Sequence, residues 1–315
     1  MNRKILIAGA GQLGSRYLQG LAIHPDPLEI WVYDISSEAL ERASQRWKEC
    51  GDNEHQVQFI LTIEGIPREI DVAIIPSNSD VRSLLVSHIS SISKVRYWIL
   101  EKVLAQSLYE IEDIVRDTSG SEGVWVNTPM YLWPLYKNLR KSHLNSSPVH
   151  ARITGVLGLI CNAIHYIDLI SRWNDCKVVS VDTSGLEPQW LPAKRLGFFE
   201  TRGEILITYS DGSTLFLEGS EKAENYTVEI ATCDGKWNVF ESEGFAKCTD
   251  GRVIEGQVLF QSQQTVPMLE EIFQTGKCSL PTLEQSSHQH KEFLTAMIKH
   301  WNDNATDKRH RLPIT

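Results

Sequence analysis

The stretch that decides the fold of the first half is "KILIAGAGQLG", residues 4–14. It reads as a short apolar strand that ends in glycines, and "QLGSRYLQGLAI" (12–23) continues it as a helix. Gly9, Gly11 and Gly14 have the spacing G-x-G-x-x-G. This spacing indicates a dinucleotide-binding turn when a strand precedes it, a helix follows it and an acidic residue ends the next strand.

That acidic residue is present. Asp34 ends the apolar run "EIWVYD", about 20 positions after the last glycine, where a carboxylate normally binds the adenosine ribose hydroxyls. A carboxylate there repels a 2′-phosphate, so NAD is favoured over NADP, although small hydroxyls at Ser36 and Ser37 could tolerate a phosphate. The predicted cofactor-binding residues of this region are Gly9, Gly11, Gln12, Leu13, Gly14 and Asp34.

Short apolar runs alternate with helix patterns up to about residue 127. After the first two strands come "VQFILT", "DVAIIPS", "VRYWILEK" and "GVWVN", and "SSEALERASQRWKEC" is an amphipathic helix with a Ser N-cap at Ser36 or Ser37. This alternation predicts an α/β domain, a doubly wound parallel sheet of the Rossmann type, over residues 1–127.

The second half has a different pattern. "GEILITYSDGSTLFLEG", "YTVEIATCDGKWNVFES" and "AKCTDGRVIEG" each contain two alternating runs joined by a turn with Asp-Gly, a strong hairpin signal. Two helices are expected near 259–275 and 284–302. We predict an α+β domain over residues 128–315, with an open, largely antiparallel sheet and a last helix that can pack back on the first domain.

Composition excludes several classes of function. The net charge of −9, without a basic patch, argues against nucleic acid or an anionic membrane as a partner. No segment approaches the roughly 20 apolar residues of a membrane span. The six cysteines are scattered without a C-x-x-C pair, which indicates reduced thiols in the cytoplasm and no metal site. His288 and His290 are predicted to be surface histidines, since their spacing does not place both on one helix face.

Polar residues end two further strands. Pro76, Ser77 and Asn78 end one strand, where they could border the cofactor or simply start the next helix. Glu101 and Lys102 end another, and we expect this pair to face the ligand crevice and not the core. A lysine near nicotinamide can hydrogen-bond a substrate oxygen and take part in proton transfer.

The run "GLICNAIHYIDLI" (158–170) places polar side chains in an apolar helix. Asn162, His165 and Asp168, with Cys161, form one stripe at a spacing of three to four residues. A buried stripe without partners is costly, so it must meet water, another polar group or a ligand. His165 is suited to proton exchange at neutral pH. The alternative is a buried interdomain helix whose polar groups satisfy one another.

The Rossmann opening, the strand followed by Glu-Lys and the His-x-x-Asp helix resemble the Gfo/Idh/MocA family of NAD(P)-dependent oxidoreductases. The resemblance implies a hydride transfer on a sugar, cyclitol or nucleotide sugar, and a homodimer or homotetramer formed through the open sheet. It implies that Lys102 and His165 are catalytic, helped by Asp168 or Asn162, and that Glu101 lies at the cofactor.

The sequence departs from the family in three places. Val103 stands where the family has a proline that often introduces an unusual peptide geometry. Cys161 stands where a carboxylate is usual. Tyr131 and Trp133 stand where arginines are frequent, and they fit either a ring of the substrate or the core at the domain junction.

Three functions remain open at this point. The first is an enzyme in which Lys102 holds the reacting oxygen and His165 carries the proton, with Tyr131 and Asn162 as further substrate contacts. The second is a non-catalytic sensor of NAD(P) or a sugar, suggested by Cys161, by Val103 and by Tyr131 and Trp133 in place of arginines. The third is a reductase of a non-sugar carbonyl or a tetrapyrrole on the same scaffold.

Overall fold

The structure is a computed structural model, and it describes residues 2–142, 148–220 and 226–315. Its α-helices are α1 (Gln12–Leu21), α2 (Ser37–Lys48), α3 (Ser79–Ile92), α4 (Leu108–Asp117), α5 (Pro134–Lys141), α6 (Leu159–Trp173), α7 (Gln261–Thr275) and α8 (Leu283–Asn304). Its strands are β1 (Arg3–Ala8), β2 (Leu28–Tyr33), β3 (Gln56–Ile60), β4 (Glu69–Ile75), β5 (Lys94–Glu101), β6 (Gly123–Asn127), β7 (His150–Val156), β8 (Val178–Asp182), β9 (Leu191–Pro192), β10 (Phe199–Glu200), β11 (Glu204–Tyr209), β12 (Thr214–Gly219), β13 (Thr227–Thr232), β14 (Gly235–Phe240), β15 (Phe245–Cys248) and β16 (Val253–Glu255).

The described residues fall into two compact units. The first contains the residues up to Ala105, Tyr109–Asn127 and Leu259–Leu283. The second contains Gln106–Leu108, Thr128–Val258 and Glu284–Thr315.

The sheet of the first unit is parallel throughout, in the order β3-β2-β1-β4-β5-β6. The central strand β1 is apolar because both faces of the sheet are covered, and Ile5, Leu6 and Ile7 are completely buried. The order reverses between β1 and β4, and in such sheets ligands bind at the carboxyl ends of the strands around the reversal. The predicted doubly wound sheet is confirmed.

Helix α7 belongs to the first unit, although the predicted division assigned residues 128–315 to one domain. The cause is a close approach of α7 to α1. A Cβ atom on Gly20 would lie 2.6 Å from the carbonyl oxygen of Ser262, so the glycine allows the two helices to touch. After residue 127 the chain therefore returns once to its first unit, with α7.

The sheet of the second unit has the order β16-β15-β14-β13-β7-β12-β11-β8. The three predicted hairpins are confirmed as the antiparallel pairs β11–β12, β13–β14 and β15–β16. Strand β7 lies between them, parallel to β12 and antiparallel to β13, and the sequence patterns did not indicate this pairing. Buried and exposed residues alternate along β11, as an open sheet with one covered face requires.

Helices α6 and α8 belong to this second unit. Helix α6 packs against β7 and β12. On α8, His288 contacts the carbonyl oxygen of Val178 (3.1 Å), and His290 is fully buried beside Ser286. The prediction that both are surface histidines is wrong for His290, since an apolar face of α8 turns that position inward.

Candidate active site

The glycine loop joins β1 to α1 in a conformation that needs glycine at two positions. Gly9 has φ +126°, in the region that favours glycine, and a Cβ atom there would lie 3.1 Å from the backbone nitrogen of Ser77. A Cβ atom on Gly14 would lie 1.8 Å from the carbonyl oxygen of Gly9, so only glycine lets the helix start this close to the loop. The loop is therefore packed against the end of β4.

The start of α1 fits a dinucleotide phosphate group. Gly11 is its N-cap residue and provides no side-chain cap, and the space around its Cα is open, with nothing within 4 Å of an added Cβ atom. Gly11 therefore places no side chain over the N–H groups of the first turn, which includes Gln12 and Leu13. A helix N-terminus of this kind binds anions through its N–H groups and its dipole.

Asp34 lies at the end of β2 and is tied to the same loop. Its Oδ2 accepts a hydrogen bond from the Ala10 N–H (2.7 Å), and its Oδ1 accepts one from the Ser36 N–H (2.9 Å). The Ser36 hydroxyl caps α2 by accepting from the Ala39 N–H (3.2 Å) and donates to Glu38. The Ser36 hydroxyl, one of the two that could tolerate a 2′-phosphate, is thus engaged within its own helix.

The end of β4 carries Pro76, Ser77 and Asn78. Asn78 occupies the N-cap position of α3 without a side-chain cap, while Pro76 and Ser77 lie against the glycine loop. The structure therefore gathers these residues, the glycines and Asp34 at one edge of the first sheet.

Glu101 ends β5, and its expected position facing the crevice is wrong. The residue is 3% exposed, and its carboxylate accepts hydrogen bonds from the Tyr17 hydroxyl (2.6 Å) and the Asn127 amide (2.6 Å). Burial raises the pKa of Glu101, and these two hydrogen bonds oppose the rise. Its carboxylate therefore joins α1, β5 and β6 below the site, while the half-buried Lys102 follows it on the loop.

Arg82 is a residue of this region that the sequence interpretation missed. It is 1% exposed on α3, and its guanidinium donates to the carbonyl oxygens of Ser77, Val103 and Leu104, the last at 2.9 Å. It thus joins the loops after β4 and β5, and the loop after β5 contains a cis peptide between Lys102 and Val103. The sequence feature that could have identified Arg82 is a lone arginine on an apolar helix.

In the second unit, the first N–H groups of α6 donate to the carboxylate of a glutamate side chain. Gly158 is its N-cap residue with φ +61°, and the N–H groups of Ile160 (2.7 Å) and Cys161 (3.0 Å) donate to Glu200 of β10. Glu200 was not predicted as a site residue. Its charge lies at the positive end of the helix, where a carboxylate is stabilising, and it stands close to the position where the family pattern has an acid and this chain has Cys161.

The polar stripe predicted on α6 is divided in the structure. Asn162 and His165 line a pocket, and the Asn162 amide donates to the Leu157 carbonyl oxygen (2.7 Å). Asp168 is fully buried and accepts a hydrogen bond from the Gln289 amide of α8 (3.1 Å). Burial raises the pKa of Asp168 to about 6, although Arg172 acts in the opposite direction. Asp168 therefore joins two helices and does not line the pocket.

This pocket of the second unit has a volume of about 470 Å³, within the range of small-molecule sites. Four of its lining residues are aromatic or imidazole side chains that can contact a ring. The described lining residues are Met130, Trp133, Gly155, Val156, Leu157, Asn162, His165, Tyr166, Tyr226 and Glu241.

Tyr131 and Trp133, which stand where the family often has arginines, lie in different surroundings. Trp133 lines the pocket and stacks on Tyr136, with ring centroids 6.2 Å apart. Tyr131 is half-buried, and the guanidinium groups of Arg140 and Arg172 lie 5.7 and 4.6 Å from its ring centroid. Tyr131, predicted as a substrate contact, is outside the described lining of this pocket.

The described residues contain neither a metal-binding cluster nor a membrane-spanning helix. Residues 2–142, 148–220 and 226–315 contain no group of three or more His, Cys, Asp or Glu side chains placed to hold a metal ion. In the same ranges, no helix combines the length and the apolar character needed to cross a bilayer.

Comparison with known proteins gives matches by structure alone. No protein-family model matches the chain, and no curated protein sequence does. Among solved structures, UDP-N-acetylglucosamine 3-dehydrogenase from Acidithiobacillus ferrooxidans superposes with a TM-score of 0.73 at 13% identity, over 95% of this chain and 97% of the other.

Two further structures were solved with ligands. Myo-inositol dehydrogenase from Lactobacillus casei, in complex with NAD(H) and myo-inositol, has a TM-score of 0.68 at 15% identity and covers 97% of this chain and 96% of its own. An oxidoreductase from Agrobacterium radiobacter, in complex with NAD⁺, L-tartaric acid and magnesium, has a TM-score of 0.67 at 14% identity, over 96% and 97%. The predicted two-domain architecture, a Rossmann-type domain followed by a domain with an open, largely antiparallel sheet, is confirmed.

Proposed function

We propose that this chain is an NAD-dependent oxidoreductase that transfers a hydride between nicotinamide and a carbinol or carbonyl carbon of a sugar, cyclitol or nucleotide-sugar derivative. The observation that carries the proposal is the glycine loop of the first unit. Its close packing, its uncapped helix start and Asp34 at the same sheet edge fit a dinucleotide and leave open space at Gly11. The fold shared with dehydrogenases of inositol and a nucleotide sugar supports the same conclusion.

The roles of the side chains follow from their chemistry. NAD, when bound, accepts or supplies the hydride. The Lys102 ammonium donates a hydrogen bond to the substrate oxygen, and the His165 imidazole removes or returns the hydroxyl proton. Asn162 contacts a substrate hydroxyl. Glu101 and Asp168 are buried in hydrogen bonds within their own units, and each stabilises the segment that carries Lys102 or His165 respectively.

The test is turnover. The protein is mixed with NAD⁺ or NADH and a panel of cyclitols, sugars, keto-sugars and nucleotide sugars, and absorbance of NADH is followed. We expect Lys102→Ala and His165→Ala to lower kcat by about 10²–10⁴-fold, the usual contribution of positioned proton transfer.

Two exposed residues provide matched controls, Lys137→Ala on α5 and His150→Ala on β7, and both should retain activity. If NADH binds tightly but no carbonyl or carbinol compound is turned over, the protein is a sensor and the proposal is wrong. Turnover confined to dipyrroles or other non-sugar carbonyl compounds would instead identify the third function.

We further propose that the protein acts in the cytoplasm as a homodimer or homotetramer. None of the six cysteines forms a disulfide, as expected in a reducing compartment. The second sheet exposes apolar side chains such as Val179 (60%), Leu206 (41%) and Phe240 (38%), which a second copy could cover. Sedimentation equilibrium should give at least twice the chain mass of 35.7 kDa, and a monomer at micromolar concentration would contradict this.

A further inference from the structure

Three tyrosines surround one carboxylate at the pocket of the second unit. Glu241 Oε1 accepts a hydrogen bond from the Tyr136 hydroxyl (2.5 Å), and Oε2 accepts one from the Tyr226 hydroxyl (2.7 Å). The Tyr166 and Tyr226 hydroxyl oxygens are 2.9 Å apart. We call these four side chains the tyrosine–glutamate cluster. Three of its members, Tyr166, Tyr226 and Glu241, line the pocket beside His165.

The protons of this cluster can be counted. Burial raises the pKa of all three phenols, so each keeps its proton at neutral pH. The Tyr136 and Tyr226 protons are directed at Glu241. Since the Tyr226 proton is used, the oxygen of Tyr226 must accept the proton of Tyr166. All three donors are therefore consumed inside the cluster, and what remains for a ligand is acceptor capacity on the carboxylate and the phenol oxygens.

Apart from His165, which the proposed function assigns to the reacting hydroxyl, the described lining residues supply no counter-charge for an anion. Among the described lining residues, Glu241 is the one carboxylate, and none is lysine or arginine. Burial raises the pKa of Glu241 while its two phenol donors lower it. A ligand carboxylate beside the cluster would face the lone pairs of the phenol oxygens, which cannot donate a hydrogen bond to it. It would also be repelled by the carboxylate of Glu241, which has the same charge.

A hydroxyl group fits better than any charged group. It can donate to Glu241 or Tyr166, and it can also accept. Trp133 lines the same pocket, and its indole Nε1 is buried without a hydrogen-bond partner among the described residues. A ring that bears several hydroxyls can donate to the cluster and accept from the indole with the same kind of group, whereas an ammonium group cannot accept from the indole.

From this arrangement we infer that the tyrosine–glutamate cluster is a specificity subsite that selects a neutral, hydroxyl-bearing ring and rejects the same ring oxidised to a carboxylate. The inference rests on the proposed function for the identity of the pocket as the substrate site. It narrows the substrate class to unoxidised sugars or cyclitols, whether free or attached to a nucleotide, and it excludes sugar acids.

The experiment compares pairs of compounds that differ only in CH₂OH against COO⁻, such as a hexose with its uronate and a nucleotide hexose with its nucleotide uronate. Binding to the full-length protein, saturated with NADH, is measured by isothermal titration, and kcat/KM is measured where turnover occurs. We expect the neutral member to be preferred by about tenfold or more, since a site built for a hydroxyl leaves its polar groups unpaired with the wrong group.

Glu241→Gln should remove this preference, because the amide supplies N–H donors where the carboxylate supplied acceptors. Glu243→Gln makes the same change at an exposed position two residues away and should leave the preference intact. Tyr226→Phe keeps the carboxylate but releases the Tyr166 proton toward the pocket, so it should also weaken the preference. Circular dichroism melting verifies that each variant is folded, and Tyr226→Phe provides the test if Glu241→Gln is not.

The outcomes separate this inference from the proposed function. Equal or tighter binding of the uronates, no binding by any pair, or an unchanged preference in both Glu241→Gln and Tyr226→Phe would overturn the subsite. Turnover of uronates with NAD would overturn the subsite while leaving the oxidoreductase in place. Selective binding of neutral rings without any turnover would support the subsite and contradict the enzyme.

Discussion

Several polar residues of the candidate site lie in or next to apolar runs, which makes them conspicuous in the sequence. His165 and Asp168 stood out because a polar group in a buried segment needs a partner, and Glu101 stood out because it ends a strand beside Lys102. Their partners did not stand out. Gln289, which donates to Asp168, is 121 residues away in sequence, and Tyr17, which donates to Glu101, is 84 residues away. Sequence periodicity indicates which side chains are buried, but it carries no information about which distant group faces them.

Asp168 makes the stability of the protein depend on pH. Its pKa is about 6 in the folded protein against an ordinary value of 3.8, because its carboxylate is buried. The folded state therefore binds the proton more tightly, and stability is lost as pH rises from about 4 to about 6. Asp168→Asn stays neutral and keeps an acceptor for Gln289. The free energy of unfolding of the variant, relative to the wild type, should rise across this window by at most about 3 kcal/mol.

Urea unfolding at a series of pH values measures this difference. Asp52→Asn, at an exposed loop position, is the control and should run parallel to the wild type. A difference between Asp168→Asn and the wild type that does not change between pH 4 and pH 7 would show that Asp168 does not titrate as a buried carboxyl.

At the scale of elements, local signals predicted best. The strand, glycine turn and helix of the cofactor loop are adjacent in sequence, and each Asp-Gly turn joins the two strands of its own hairpin. Strand β7 and helix α7 are different. The elements that pair with β7 and α7 are determined by long-range packing. Neither the alternation of apolar residues nor the turns indicate these pairings.

The contact between α1 and α7 gives a prediction for Gly20. A side chain there would meet the Ser262 carbonyl oxygen at 2.6 Å and the Thr265 hydroxyl at 2.7 Å, so Gly20→Val must separate the helices. We expect it to lower the free energy of unfolding by about 1–3 kcal/mol, as overpacking of a core does. Thermal melting of Gly120→Val is the comparison, because nothing lies within 4 Å of a Cβ atom there. Equal melting temperatures for the two variants would refute the close contact.

At the scale of the whole molecule, the two sheets were predicted from sequence and the interleaving of the chain was not. A division at a single point follows from the change of pattern near residue 127. The return of α7 to the first unit is a property of packing, and so is the antiparallel contact of Thr282 with Trp125 of β6. These contacts join segments that are more than 100 residues apart, beyond the reach of local patterns.

The interleaving predicts how the first unit behaves when it is excised. A fragment of residues 1–127 lacks α7, so the face of α1 around Gly20 is uncovered, and the fragment should bind a hydrophobic dye and melt without a cooperative transition. A version in which 259–283 follows 127 through a glycine-serine linker should melt cooperatively. Cooperative melting of both fragments to the same temperature would show that α7 is dispensable.

The position of β7 also determines when the second unit can be completed during synthesis. This strand leaves the ribosome with two unpaired edges, and its parallel partner β12 begins 64 residues later. Only after β12 and β13 have been made can both edges be closed. Until then the nascent chain presents a bare strand to other copies, which is a risk for aggregation. We therefore expect the second unit to fold only late in translation, and the yield of soluble protein to improve when synthesis is slowed at low temperature.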